Sequence, residues 1–262
     1  VQQKVSKQLT QNPKAYPSYV NGVFFRRKNG AENIRKALEY QKRAVALDAN
    51  FARAYTELSI DFAALVEIAE LSPKEGIPQA RAAAEKALAL DETLAEAHYT
   101  LARVRNFEFD WKEAEDGFQK ALELNPNLAA AHTLFAAFLS QLGRFDEAVR
   151  EIRLAQELDP LRTGLVGNEG SIFYLARKYD EAAAKARIHV SAAPENPFAH
   201  LNLANALFEK GQYAEALGSY QASLKLEETT TALVYLGRAY AVTGNHKEAL
   251  GILDKLEITK KY

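Results

Sequence analysis

Two stretches that lie end to end decide the fold of this chain: residues 95–128, AEAHYTLARVRNFEFDWKEAEDGFQKALELNPNL, and residues 129–162, AAAHTLFAAFLSQLGRFDEAVREIRLAQELDPLR. Each contains 34 residues, and similar side chains recur at the same place in both. The matching pairs are His98 and His132, Leu101 and Phe135, Ala102 and Ala136, Trp111 and Phe145, Ala114 and Ala148, Phe118 and Ile152, Ala121 and Ala155, and Pro126 and Pro160. One structural unit is therefore repeated.

The pattern within a unit predicts two helices. Apolar and small residues recur at steps of three and four residues, which is the helical period. The pattern breaks at a turn near position 15 of the unit, and again at Asn-Pro or Asp-Pro near position 32. Each unit is thus predicted to be a helix, a short turn and a second helix.

Small residues at positions 8, 20 and 27, an aromatic residue at 17 and proline at 32 resemble the tetratricopeptide repeat. The resemblance implies an all-α solenoid, a right-handed superhelix of about seven helical hairpins. Small side chains let helices approach closely, while bulky residues at positions 4, 7, 11 and 24 fill the remaining space. Position 20 is alanine in all seven predicted units, at Ala37, Ala80, Ala114, Ala148, Ala182, Ala216 and Ala249.

The repeat frame predicts the organisation of the chain. Residues 1–14 are predicted to be a linker or the tail of an upstream element, and the units are predicted at residues 15–51, 52–94, 95–128, 129–162, 163–196, 197–229 and 230–262. The second unit is nine residues longer than 34. There Ser72 and Pro73 suit an N-cap and a first helical position, which predicts a longer first helix and a loop. In the fifth unit Glu169 replaces the usual leucine, so we expect weak core packing there.

Composition excludes several classes of protein. The 33 basic and 34 acidic residues nearly cancel, which argues against the broad positive field of a nucleic-acid binder. The chain has no cysteine, and hence neither a disulfide nor a thiolate metal site. No apolar run of about 18 residues predicts a membrane span. Because the chain begins at Val1, we expect it to be a piece of a longer protein. We expect a cytoplasmic location, and a periplasmic location is the alternative.

The histidines do not predict an enzyme. His98, His132 and His200 occupy position 4, His189 position 27 and His246 position 17, which are packing positions in the repeat. Trp111, also at position 17, is assigned to packing as well. The chain contains no HExxH pair, Gly-rich phosphate loop or GxSxG elbow. We therefore expect no catalytic activity, no cofactor and no metal.

The resemblance places function on the first helix of each unit, where positions 2, 5, 6, 9, 12 and 13 face the inner groove in the family. Aromatic and arginine side chains anchor protein interfaces, and an asparagine amide both donates to and accepts from a peptide backbone. These positions therefore predict a groove for an extended peptide. The predicted groove residues are Tyr19, Arg26, Tyr99, Arg103, Phe107, Asn168, Tyr174, Phe198, Asn202, Asn205, Phe208, Tyr235 and Arg238.

The fifth and sixth units carry the most specific expectation. Asn168 and Asn202 both occupy position 6 and lie 34 residues apart, so their amides are predicted to be neighbouring rungs for one peptide. Gly164 and Gly167 share that face and would let a peptide backbone approach closely. The alternative is that the fifth unit is a degenerate, flexible hinge.

Several stretches are similar to the C-terminal tetratricopeptide region of bacterial multidomain signalling and transcriptional regulator proteins: AYPSYVNGVFF (15–25), FDWKEAE (109–115), AQELDPL (155–161), ARKYDEA (176–182) and AYAVTGNHKEAL (239–250). The resemblance implies a module that binds a protein or peptide and regulates or localises a larger protein. The alternative is a sensor for a small molecule in the groove. The partner, the ligand and the oligomeric state stay open.

Overall fold

The computed structural model of the chain describes residues 10–28 and 30–259, and over these ranges it contains fourteen α-helices and no β-strand. The predicted all-α repeat fold is confirmed. Residues 1–9, most of the predicted N-terminal linker, lie outside the described residues. The helices are α1 Ala15–Arg26, α2 Ala31–Leu47, α3 Ala52–Glu67, α4 Pro73–Leu90, α5 Ala95–Phe107, α6 Trp111–Leu124, α7 Ala129–Gln141, α8 Phe145–Leu158, α9 Gly164–Leu175, α10 Tyr179–Ala192, α11 Pro197–Glu209, α12 Tyr213–Leu226, α13 Thr230–Val242 and α14 His246–Thr259.

The chain forms two compact units, here called the N-terminal half (residues 1–134) and the C-terminal half (residues 135–262). In the N-terminal half, α1 packs on α2, α3 on α4 and α5 on α6, and successive hairpins meet because α2 also contacts α3 and α4 contacts α5. The first helices of these hairpins, α1, α3 and α5, lie side by side. They form one continuous face.

The C-terminal half repeats this arrangement. Here α9 packs on α10, α11 on α12 and α13 on α14, and the first helices α9, α11 and α13 contact one another in order. Its core includes Leu207 and Tyr220 from the α11–α12 hairpin together with Leu236 from α13. Each first helix therefore fills the surface that the preceding hairpin leaves open.

The alanines at position 20 explain why the helices of a hairpin can lie so close. Six of the seven are at most 2% exposed: Ala37, Ala80, Ala114, Ala148, Ala182 and Ala216. Ala249 in α14 is half-buried. A larger side chain at a buried site would force the helices apart, at a cost of about 1–3 kcal/mol.

The second hairpin contains the predicted insertion. Helix α3 has 16 residues, against 12 or 13 in the other first helices, and α4 begins at Pro73 after the N-cap Ser72. The longer first helix and the loop are confirmed. Proline suits the first helical position because its missing N–H would have no partner there.

The segment before α1 is attached to the end of α2. The Thr10 hydroxyl and the backbone N–H of Gln11 both donate to the carboxylate of Asp48, the C-cap of α2. The Asn12 amide donates to the Leu47 carbonyl at 2.7 Å. These contacts satisfy carbonyl and carboxylate groups that the helix end leaves without partners.

Glu169 corrects the expectation of weak packing in the fifth unit. Its side chain in α9 is fully buried, and it accepts from Arg153 Nε at 2.8 Å, from Gln156 Nε2 at 3.1 Å and from Lys185 Nζ at 2.7 Å. Burial alone would raise its pKa, but the donors from Lys185, Gln156 and Arg153 lower it below the ordinary value. A carboxylate with three donors packs here in place of leucine.

Candidate binding surface on the first helices

All thirteen predicted groove residues lie on first helices. The structure divides them between two faces: α1, α3 and α5 in the N-terminal half, here called the charged face, and α9, α11 and α13 in the C-terminal half, here called the amide face. The chemistry of the two faces differs.

Arg26 is the central cation of the charged face. From α1 it reaches two carboxylates of α3, pairing with Glu57 and lying 3.3 Å from Asp61 Oδ1. Burial lowers the pKa of the Arg26 guanidinium, but the charges of Glu57 and Asp61 outweigh burial and raise that pKa above its ordinary value. Arg26 is thus held as a link between two hairpins rather than as a free peptide anchor.

Asp61 was not predicted from the sequence. It is fully buried, and burial raises its pKa to about 7, with Arg26 lowering and Glu57 raising it. A signal was present, because position 10 of the repeat is apolar in the following units, at Val104, Phe138, Ile172, Ala206 and Ala239. A single acid at an apolar position predicts a buried charge that needs a partner.

The other predicted residues of the charged face are partly or fully packed. Tyr99 is only 7% exposed, which corrects the expectation that its ring is open to a ligand. Arg103 Nε pairs with Glu67 at 3.0 Å. Tyr19 packs against Phe51 with ring centroids 5.0 Å apart, and Phe107 packs against the core. Ion pairs and packing therefore account for most of this face.

The amide face carries hydrogen bonds between uncharged side chains. Asn202 on α11 donates from Nδ2 to Ser171 Oγ on α9 at 3.3 Å, and Asn205 Oδ1 accepts from the Tyr220 hydroxyl at 2.7 Å. Asn168 is exposed. The partner of Asn202 on α9 is thus Ser171, which lies one turn further along that helix than Asn168. The use of Asn168 and Asn202 as neighbouring rungs for one peptide stays a prediction.

Aromatic residues flank these amides. Tyr174 and Tyr235 are half-buried, Phe198 is 60% exposed, and Phe208 is buried at 6% exposure, so that Phe208 is a core residue and not an exposed anchor. The Arg238 guanidinium lies over the Phe208 ring at 4.4 Å and pairs with Glu209 at 3.2 Å. These two contacts restrain the Arg238 side chain.

Gly167 has a different role from the one predicted. A Cβ at this position would lie 2.3 Å from Nδ1 of the buried His189 on α10, so the glycine makes room for that imidazole. A Cβ at Gly164 would meet nothing within 4 Å. Neither the peptide-approach explanation of Gly167 nor the flexible hinge is needed, because Gly167 and Glu169 are both tightly packed.

The five histidines fall into three groups. His98, His132 and His200 each place Nε2 within 2.9 Å of a carbonyl oxygen six residues earlier, at Glu92, Pro126 and Pro194, a repeated structural contact. His189 is buried, which lowers its pKa. His246 is exposed rather than packed, in contrast to the prediction. Trp111 is 39% exposed and contacts Phe109 edge to face.

Within residues 10–28 and 30–259, no group of three or more His, Cys, Asp or Glu side chains could hold a metal ion. Among the helices described here, none is both long and apolar enough to cross a membrane.

Comparison with known sequences places this architecture in a family. A family model described as a tetratricopeptide repeat matches residues 139–197 and 201–261, and a second model with the same description matches residues 118–150. The chain belongs to the tetratricopeptide repeat family. Proteins of this family are generally interaction modules without enzymatic activity. No curated protein matches the chain significantly in sequence.

Solved tetratricopeptide structures share the fold. The chain is similar to PilF of Pseudomonas aeruginosa, with 22% identity, a TM-score of 0.62 and coverage of 79% of this chain and 91% of that one. It is similar to PilW, a type IV pilus biogenesis factor, with 21% identity, a TM-score of 0.68 and coverage of 80% and 94%. It is also similar to yeast Tom70, with 21% identity, a TM-score of 0.70 and coverage of 95% of this chain and 55% of Tom70. The chain therefore spans about half the length of Tom70.

Proposed function

We propose that this chain is a non-enzymatic interaction module that binds an extended peptide segment of a partner protein along the amide face. In this proposal it is the regulatory or scaffold part of a larger signalling protein. The observation that carries the proposal is the row of uncharged hydrogen-bonding side chains across α9, α11 and α13, flanked by the exposed Phe198 and by Arg238.

The chemistry of that row suits a peptide. Asn202 and Asn205 are half-buried amides whose side chains can both donate and accept, as peptide N–H and C=O groups require. Phe198 offers an exposed ring for an apolar side chain, and Arg238 is already oriented by its stacking on Phe208. Preorganised side chains lose less entropy on binding than free ones.

The test begins with the selection of binding peptides from a displayed library of random linear peptides, with the full chain as the target. The affinity of the best peptide is then measured by calorimetry for the wild type, for Phe198→Ala and for the double variant Asn168→Ala with Asn202→Ala. We expect each variant to bind more weakly by about 1 kcal/mol or more, the scale of a lost net hydrogen bond or of a buried aromatic contact.

Two matched controls lie in the N-terminal half. Phe109→Ala removes an aromatic side chain that is 73% exposed, and Asn127→Ala removes an exposed amide from a turn. Both are expected to bind like the wild type. If the double asparagine variant keeps full affinity, the amide face is not the peptide site. If the chain selects no peptide but binds members of a small-molecule library in competition with each other, the sensor alternative replaces the proposal.

A further inference from the structure

The charged face has an imbalance of charge. Across the ion pairs that join α1, α3 and α5, three arginines meet four carboxylates: Arg26 with Glu57 and Asp61, Arg53 with Glu96 at 2.9 Å, and Arg103 with Glu67. Arg53 and Arg103 each pair with one carboxylate. The surplus negative charge therefore lies on α3, where Glu57 and Asp61 are one helical turn apart and share the single guanidinium of Arg26.

Two buried acceptor oxygens of the charged face have no hydrogen-bond donor among the described residues. Asp61 is 0% exposed, and only its Oδ1 receives Arg26, because the buried Oδ2 has no hydrogen-bond partner. On the neighbouring α5, the buried Oδ1 of Asn106 also has none. These two oxygens, on the adjacent helices α3 and α5, therefore keep an unused capacity to accept a hydrogen bond.

Two tyrosines feel the charge of Glu57. The carboxylate of Glu57 is the second cause, after burial, of the raised pKa of both Tyr19 on α1 and Tyr99 on α5. Glu57 thus acts electrostatically on two tyrosines, which come from the helices on either side of α3. Tyrosine faces attract cations, and the attraction grows in a desolvated site. Glu57 itself keeps 16% of its side chain exposed, so it can be reached from outside.

We infer that the charged face is a slot for one positively charged side chain, the guanidinium of arginine or the ammonium of lysine, from a bound partner peptide. Glu57 is the counter-ion, Tyr19 on α1 is the aromatic side chain that feels its charge, and Arg26 keeps its hydrogen bond to the buried Asp61. The inference deepens the proposed function and rests on it, since it names the side-chain chemistry of a peptide that the N-terminal half binds.

The experiment uses the full chain and a fluorescein-labelled Gly-Ser decapeptide with two central arginines, followed by anisotropy. Matched peptides carry two lysines, two citrullines, which keep the shape but lack the charge, or two glutamates. We expect the arginine and lysine peptides to bind, and the citrulline and glutamate peptides to bind at least about tenfold more weakly. Glu57→Gln should weaken the arginine peptide at least about tenfold.

Glu113→Gln, which removes an exposed carboxylate from the first turn of α6, is the matched control and should change nothing. If Glu57→Gln proves unstable, the carbon-13 ring signals of tyrosine-labelled wild type give a second measurement, in which the Tyr19 signal should shift with the arginine peptide and not with the citrulline peptide. Equal binding of these two peptides, or no loss in Glu57→Gln, overturns the slot.

Spermidine, a free polyamine, tests whether the slot binds a small cation in place of a basic side chain of a peptide. Tighter binding of spermidine than of the arginine peptide overturns the assignment to a peptide side chain. The slot and the proposed function fail differently. A library-selected peptide that depends on Asn202 but ignores Glu57→Gln keeps the amide face and removes the slot. If the arginine peptide binds in a Glu57-dependent way but the library yields no peptide that depends on the amide face, the slot stands and the proposed function of the amide face fails.

Discussion

Asp61 and Glu169 are both buried carboxylates on a first helix, one in each half of the molecule, and their surroundings are opposite. Glu169 receives three donors from α8 and α10, which hold its pKa below the ordinary value. Asp61 shares one guanidinium with Glu57, keeps an oxygen without a partner, and has its pKa raised to about 7. A buried acid can thus be a completed structural link or an incomplete one.

The difference shows where a function can be added to a repeat. A fully satisfied network such as that of Glu169 rigidifies a core and has no donor to gain from a ligand. An under-satisfied carboxylate such as Asp61, which shares Arg26 with Glu57, is stabilised when a cation or a proton binds nearby. The amide face and the charged face therefore differ in their polar chemistry, although the same repeat produces both.

Removal of Arg26 is expected to have the largest effect. Arg26→Met leaves Asp61 buried without the cation that pairs with it, so the free energy of unfolding should fall by about 3 kcal/mol or more, as measured by urea unfolding followed by circular dichroism. Arg238→Met in the C-terminal half is the control. Because Arg238 is about half exposed, its loss should cost about 1 kcal/mol or less. Equal losses would remove the contrast between the faces.

Gly167→Ala tests whether the fifth hairpin is tightly packed. The added Cβ would meet the His189 ring, so we expect a loss of about 1–3 kcal/mol in the free energy of unfolding. Gly164→Ala in the same helix has open space around it and should be neutral or stabilising by up to about 1 kcal/mol. A stabilised Gly167→Ala chain would instead support a loose hinge.

The pH dependence of stability should have opposite signs at the two acids. The pKa of Asp61 is raised, so its contribution is fully present below its ordinary pKa near 4 and is lost as pH rises through about 7. The pKa of Glu169 is lowered, so its contribution is present above its ordinary pKa near 4.5 and is lost as pH falls below that.

We therefore expect the wild type to gain about 2–3 kcal/mol in stability between pH 7.5 and pH 5, and Asp61→Asn to lose this gain. Glu169→Gln should leave that gain in place and should change the acid limb below about pH 4.5. Thermal unfolding across this range measures both. An unchanged profile in Asp61→Asn would show that Asp61 does not take up a proton there.

The smallest expected effect concerns the turns after the first helices. Phe109 in the N-terminal half has a φ of 62°, whereas Gly211 and Gly244 occupy the matching position in the C-terminal half with φ of 76° and 79°. Phe109→Gly should relieve backbone strain and stabilise the chain by about 1 kcal/mol or less. Arg177→Gly, with a φ of 58°, is the control that should gain similarly by thermal unfolding. A gain at Phe109 alone would point to its exposed ring rather than to the backbone.

Prediction from the sequence succeeded where local spacing decides. The 34-residue period predicted helical hairpins, the Ser72–Pro73 pair predicted the start of α4, and the groove positions all fell on first helices. It was wrong for the packing around Glu169 and for Gly167. Those errors share a cause, because donors from α8 and α10 and the ring of His189 come from other helices, which spacing along one helix does not specify.

The sequence by itself determined the all-α repeat, since small residues at fixed positions are the local condition for two helices to approach. Only the tertiary structure decided which polar side chains are linked. Arg26 and Asp61 are 35 residues apart, and Asn202 and Ser171 are 31 apart, yet each pair shares a hydrogen bond. The physical reason is that the repeat sets the register between neighbouring helices, while the energy of a buried polar group depends on every donor and acceptor that this register brings within reach.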